Sequence, residues 1–148
     1  MQLTGEYTFD APASKVWSLL NDPAVIAGCL PGCDRLEPLG DDRYRANLSL
    51  TVAAISGSYT GTVAIVDKVA PDRYRLLVEG SGKAGFVKGE ANVALSPLAD
   101  AAGKTVLSVS GEGQVGGLMA RVGQRLLGFV GQMMMDRFFA CLREKAEA

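Results

Sequence analysis

From Leu3 to Phe9 the chain alternates, with Leu3, Gly5, Tyr7 and Phe9 on one side and polar residues on the other, which predicts a first strand. Asp10-Ala11-Pro12 ends it. Val16, Trp17, Leu19 and Leu20 then recur at helical spacing and predict a short helix opening at Ala13 or Ser14. Asn21-Asp22-Pro23 is a break with proline poised at a first helical position, and a second short helix is expected over Ala24 to Gly28. Leu30-Pro31-Gly32-Cys33 reads as a turn.

A run of strands follows. Between Arg43 and Ala54 the residues Tyr44, Ala46, Leu48, Leu50 and Val52 share one face. Further alternating segments cover 58–69, 73–82, 86–95 and 105–115, with turns at Ser56-Gly57 and Ala70-Pro71-Asp72. Clean alternation implies antiparallel strands with one face wet. Gly61, Gly80, Gly82, Gly89, Gly111 and Gly113 fall inside these strands, where glycine suggests bends or bulges that curl a sheet into a trough.

After Gly116-Gly117 a long helix is expected from about Leu118 to about Lys145, spanning roughly 40 Å at 1.5 Å per residue. On the helical wheel Met119, Val122, Leu126, Val130, Met133 and Cys141 share an apolar face, widened by Leu127, Met134 and Phe138, against a polar face of Arg121, Arg125, Gln132, Asp136 and Arg143. The plain reading is a core-completing helix. Gly123 on that apolar face, together with Gly128 and Gly131, costs about 1 kcal/mol each in helix propensity, so close backbone approach or room for a guest is expected. Met119, Met133 and Met134 suit an adaptable surface. The fold class is therefore α+β, a curved antiparallel sheet wrapped around a long C-terminal helix with two short helices after the first strand.

Composition narrows the chemistry. A chain of 148 residues has the usual size of one domain, 1–148, with a real core. The net charge of −1 gives no electrostatic reason to expect nucleic acid or general attraction to anionic membrane. No signal peptide and no membrane span are read, so the cytoplasm is the default location, with at most peripheral contact on the inner face of the membrane. The chain has no histidine, which removes the commonest general base and metal ligand and every Ser-His or Cys-His nucleophile. Cys29, Cys33 and Cys141, an odd count, argue against a disulfide framework, and they read as small hydrophobes and turn residues rather than a zinc site. No metal or cofactor is expected. Gly80-Ser81-Gly82-Lys83-Ala84-Gly85 formally matches a dinucleotide fingerprint, but strand rather than helix follows it. Gly103-Lys104-Thr105 lacks the first glycine of a P-loop. Glu79, Glu90 and Glu112 read as solvated-face residues, and nothing in the sequence pairs them for acid–base work.

Gly5-Glu6-Tyr7-Thr8-Phe9 with Ala11-Pro12 and Val16-Trp17, then Asp22-Pro23 and Leu30-Pro31-Gly32-Cys33, carry a resemblance. So do Lys88-Gly89 with Ala91, and Val115-Gly116-Gly117 with Val122-Gly123 and Arg125-Leu126-Leu127. In order and spacing across nearly the whole chain, these stretches resemble the CoxG family of carbon monoxide dehydrogenase subunits, within the START / Bet v 1 helix-grip superfamily. The resemblance implies a large apolar cavity, lipid or quinone-like ligands, and an accessory or membrane-recruiting role beside a molybdenum hydroxylase. Members often carry a further C-terminal tail that attaches them to membrane. The sequence here stops at Ala148, just past the helix, and stable anchoring is not expected.

The leading expectation is a non-catalytic carrier for an apolar small molecule working with such a hydroxylase. An assembly partner with an incidental cavity and a cavity enzyme acting on an apolar substrate are the alternatives. Strand parity and helix phase predict a cavity lined by Leu76, Val78 and Phe86 from the sheet, Ile26 and Leu30 from the short helices, and Met119, Val122, Leu126, Val130 and Met133 from the long helix, with Trp17 near its mouth. Met135, Phe139 and Leu142 form a second stripe, a candidate docking patch for a partner protein or the membrane interface unless the sheet end or the short helices cover it or subunits pair through it.

Overall fold

The structure, a computed structural model, describes residues 1–51, 55–98 and 103–148. Strand β1 (Gln2–Phe9) is followed by helices α1 (Ala13–Leu20) and α2 (Pro23–Cys29). Then come β2 (Cys33–Gly40), β3 (Arg43–Leu50), β4 (Gly57–Val69), β5 (Arg73–Gly82), β6 (Gly85–Pro97) and β7 (Thr105–Gly116). A short 3₁₀ helix (Gly117–Arg121) leads into α3 (Gln124–Glu147). The end of the strand expected over 43–54 falls on residues 52–54, outside the described ones. Asp22 opens α2 as the sequence predicts: its carboxylate accepts the Ala24 N–H at 3.0 Å, and Pro23 fills a position that needs no donor.

The seven strands form one curved antiparallel sheet in the order β1-β7-β6-β5-β4-β3-β2. All pairings are between chain neighbours except β1 with β7, which brings the first strand beside the last. β2 is the strand the hydrophobic pattern does not show. It is an edge strand with Pro38 inside it and two register shifts, so it has neither clean alternation nor a need for every N–H.

The helices cover the concave face. Buried residues fall into two clusters. The larger gathers Phe9, Val16, Leu20, Val25, Tyr74, Val93, Leu107, Phe139 and Leu142, which joins α1, α2 and the C-terminal half of α3 to the sheet. The smaller gathers Ile55, Tyr59, Met119, Leu127 and Val130 at the other end.

Three expectations about the C-terminal region are corrected. The long helix does not begin at Leu118. The chain first makes a 3₁₀ turn, and α3 starts after Gly123, whose φ of 93° suits glycine and excludes it from a helix interior. The buried face of α3 keeps Leu127 and Val130 from the expected apolar side but also takes in Phe139, Leu142 and Ala146, which lie off it. Finally, Cys29 and Cys141 are joined by a disulfide, with Cα atoms 5.4 Å apart, where the end of α2 meets α3; Cys33 is free. The odd count hid this pair because its members lie 112 residues apart and meet only in the fold.

Candidate functional site: a glycine-floored trough

Cross-strand register shows what the strand glycines do. Tyr44, Val63, Val78, Gly89 and Gly113 lie side by side across the concave face. The next row holds Ala46, Gly61, Gly80, Val87 and Val115. On the other side lie Ile65, Leu76, Ala91, Gly111 and Leu3. Five of these fifteen positions are glycine and two are alanine. The middle of the floor is therefore poor in large side chains.

Burial follows the same geography. Val63, Leu76, Val78, Val87 and Ala91 are only half-buried, although they sit on the concave face. One row further toward α1, Tyr74, Val93 and Val109 are buried, and toward the opposite end Tyr59 is buried with Ile55 and Met119. An incompletely filled strip thus lies between two closed ends. Its three rows carry no carboxylate, amine or thiol; the phenol of Tyr44 is the single titratable group in them. The arrangement suits retention of an apolar body and offers no acid–base pair.

Not all glycines of the floor are alike. A Cβ at Gly61 would fall 2.7 Å from the Glu79 carbonyl oxygen, and one at Gly89 would fall 2.6 Å from that of Glu112, so these two mark sharp bends where backbones converge. A Cβ at Gly80 or Gly113 would meet nothing closer than 3.6 Å or 3.7 Å. Those two positions would accept a Cβ in ordinary van der Waals contact without clash.

The sequence-predicted lining is placed as follows. Leu76 and Val78 lie on the floor. Met119 and Val130 are buried in the smaller cluster, and Val122 and Leu126 pack half-buried against it. Ile26 and Leu30 are half-buried at α2 and just after it, Ile26 against the larger cluster, and Trp17 lies edge-on to Tyr74 at 5.5 Å. Met133 is half-buried on the flank of α3. Phe86 is a correction: it lies on the convex face and is 51% exposed, because Val87, Gly89, Ala91 and Val93 hold the inward parity of β6. The docking stripe is a second correction. Leu142 is fully buried and Phe139 nearly so, with Met135 packed beside them, because α1 and β1 reach over that side of α3. Phe139 stacks on Tyr7 at 4.4 Å between ring centroids. The glycine rows themselves are what the sequence reading missed. Parity counted from Val63, Val78, Val87 and Val115 would have placed them on the inner face.

Polar contacts cluster at one side of α3. The Tyr7 hydroxyl donates to Asp136 at 2.7 Å. Burial, reinforced by that hydrogen bond and by the negative charge of Asp136, pushes the Tyr7 phenol well above its ordinary range. Burial alone does the same to Tyr74. Glu90 and Glu112 are direct cross-strand partners, but on the convex face, where Arg75 pairs with Glu90 at 2.8 Å and Gln2 donates to Glu112 at 3.2 Å. A recess of about 360 Å³ is lined by the convex-face residues Thr60, Thr62, Glu79, Ser81, Phe86 and Lys88 together with Gly61, Gly80 and Val87 of the floor's second row.

The model of the CoxG family, described as a subunit of carbon monoxide dehydrogenase, matches residues 5–147. A crystal structure of a conserved protein from Geobacillus kaustophilus is 34% identical with a TM-score of 0.94, over 99% of this chain and 95% of that one. A START superfamily protein from Mycobacterium smegmatis shares the fold at 13% identity and a TM-score of 0.75, over 99% and 97% of the two chains. So does the Zhui aromatase/cyclase from Streptomyces sp. R1128, at 17% identity and a TM-score of 0.69, over 99% and 93%. No curated protein matches the chain significantly.

Proposed function

The chain belongs to the CoxG family of carbon monoxide dehydrogenase subunits, and from that premise we propose that it is a non-catalytic carrier, acting as a single unit, for an apolar small molecule of the lipid, fatty-acid or quinone class. It serves a molybdenum hydroxylase of the carbon-monoxide-dehydrogenase type. The observation that carries the reading is the floor: three cross-strand rows with glycine or alanine at seven of fifteen positions, mostly half-buried, and without a carboxylate, amine or thiol. Apolar surface placed there leaves water at about 25 cal/mol per Å². The polar end of a quinone or fatty acid has Tyr44 on the floor as a neighbour of suitable chemistry.

The test has two arms. Native mass spectrometry of the freshly purified chain is expected to show a co-purifying apolar mass, and the stripped chain is expected to take up a fluorescent fatty acid or quinone analogue. Gly113→Leu puts a side chain onto the floor at a position where its Cβ meets ordinary contacts. It should fold like the parent and lose at least about tenfold in uptake, the scale of a few excluded methylenes. A folded parent that takes up nothing, but forms a stable complex with hydroxylase subunits, would make the chain an assembly partner. Unchanged uptake by Gly113→Leu would place the ligand elsewhere.

A further inference from the structure

Helix α2 is a short and lightly fastened cover on the concave face. It has seven residues and buries only Val25 and Cys29. A break stands at each end. Asn21-Asp22-Pro23 parts it from α1, and Pro31-Gly32 parts it from β2, with Gly32 at a φ of 74°. The Asp22 carboxylate caps the helix's own Ala24 N–H, so it ties α2 to nothing else. Just past the second break the Ser49 N–H donates to the Gly32 carbonyl at 2.8 Å, which fixes a pivot there. Among the described residues no side chain from 23 to 32 makes a hydrogen bond or ion pair with another element.

One covalent bond makes up for these missing ties. Cys29, the last residue of α2, is joined to Cys141 of α3. Helix α3 has other holds at that point: the Arg143 Nε donates to the Thr8 carbonyl, the Asp10 N–H donates to Glu147, and Leu142 is fully buried. Cutting the bond therefore leaves α3 in place and leaves α2 with little more than Val25 and half-buried Ile26 against the larger cluster. The β3 side of the trough lies near this helix. Burial first, then the negative charges of Asp42 and Asp22, push the Tyr44 phenol up, so the cap of α2 stands close to the polar group of the floor. The two sulfurs differ in access. Cys29 is 5% exposed, whereas Cys141 is half-buried and is the one an outside thiolate reaches. Cys33 is four residues from Cys29, but burial holds its thiol protonated above the ordinary range and makes it a weak nucleophile against its neighbour.

We propose that the Cys29–Cys141 bond is a redox latch on α2, closed when oxidised and opened by a dithiol reductant, and that it controls passage of the ligand into and out of the trough. The proposal rests on the reading of the trough as a ligand site. In the opening step a thiolate of the reductant attacks the Cys141 sulfur, the bond to Cys29 breaks, and Cys29 leaves as a thiolate that takes up a proton. The reductant's second thiol gives up its proton and attacks the mixed disulfide, which frees Cys141 as a thiol. Two electrons pass to the chain, and the reductant departs as a disulfide. Helix α2 then swings on its two breaks, while α1, α3 and the sheet keep their packing.

The experiment follows two properties of the full chain, oxidised and after dithiothreitol: amide hydrogen exchange, and release of a bound fluorescent fatty acid. After reduction the amides of residues 26–30 should exchange at least about tenfold faster, with the strand amides unchanged. Release of the probe should speed up by a similar factor. Cys141→Ser should behave like the reduced chain whether or not reductant is present, and Cys33→Ser should keep the parent's two states. The latch is overturned if α2 exchanges equally in both states, or if it exchanges faster while release stays the same. It is also overturned if reduction strips protection from β5–β7, because the bond would then hold the whole fold. A parent that takes up no probe in either state sinks the carrier reading, and exchange at α2 alone then decides the latch.

Discussion

Over its C-terminal half α3 is tied to the rest of the molecule from several directions, whereas over its first two turns it rests on apolar contact. In the later half Cys141 is bonded to Cys29, and the Arg143 Nε donates to the Thr8 carbonyl at 3.0 Å. The Asp10 N–H donates to Glu147 at 3.0 Å, and Phe139 stacks on Tyr7. In the earlier half, among the described residues, no side-chain hydrogen bond or ion pair joins residues 124–131 to the sheet. The helix start has no side-chain cap and no acid in its first turn, and Phe129 points outward. The contrast separates two kinds of attachment. One end of α3 is held by covalent and polar ties, the other by apolar packing alone.

The largest effect expected from breaking this contrast is at Leu142. It is fully buried in the larger cluster, so Leu142→Ala should cost about 2–5 kcal/mol through lost transfer energy and a cavity. Phe129→Ala, on the same helix but exposed, should stay within about 0.5 kcal/mol. Urea denaturation of both variants measures the difference, and equal costs would dissolve the distinction between the halves. The disulfide comes next. Closing a loop across 112 residues should contribute about 2–4 kcal/mol. Thiol counting on the denatured chain should find one free thiol, Cys33, and after reduction three. The reduced chain should melt earlier. Three thiols before reduction would remove the covalent tie from the comparison.

How far the sequence foretold this can be read residue by residue. Alternation located β1 and β3–β7, and Asp22-Pro23 located the second short helix, because these signals are local. The face of α3 is legible only in part: Leu127 and Val130 fall on the apolar side and are buried, but apolar residues surround the N-terminal half of the helix. Which of them point inward is decided by β1 and α1, through contacts such as Gly131 against Leu3, where a Cβ would come within 2.6 Å of the leucine. Leu142 and Phe139 were read as surface for the same reason. Gly123 was read as an interior helix residue because nothing local distinguishes a helix glycine from one that must adopt a φ of 93° before the helix starts. The floor lay halfway between. Its glycines were visible one by one, yet only the register of four strands aligns Gly61 with Gly80 and Gly89 with Gly113.

The smallest of these effects concerns the hydroxyl of Tyr7, which joins β1 to α3 where the helix passes from loosely held to anchored. Tyr7→Phe keeps the stacking on Phe139 and removes only the hydrogen bond to Asp136, so at neutral pH it should cost about 0.5–1 kcal/mol, at the low end for a partly exposed pair with a charged acceptor. Its pH dependence identifies it. In the folded chain the Tyr7 phenol is held protonated by burial and by Asp136, while in the unfolded chain it ionises near the ordinary value of 10.0. A folded pKa raised above the unfolded one gives stability that is present in full below about pH 10 and is lost as the pH climbs beyond it. Tyr44, Tyr59 and Tyr74 are shifted in the same direction, so the parent should weaken steeply in alkali. Tyr7→Phe should weaken less steeply, and the gap between the two chains, constant through neutral pH, should close above pH 10. Phe129→Ala leaves every tyrosine in place and should follow the parent's alkaline slope. A gap between Tyr7→Phe and the parent that stays constant through the alkaline range would mean that the hydroxyl bond to Asp136 does not help to hold α3 on β1.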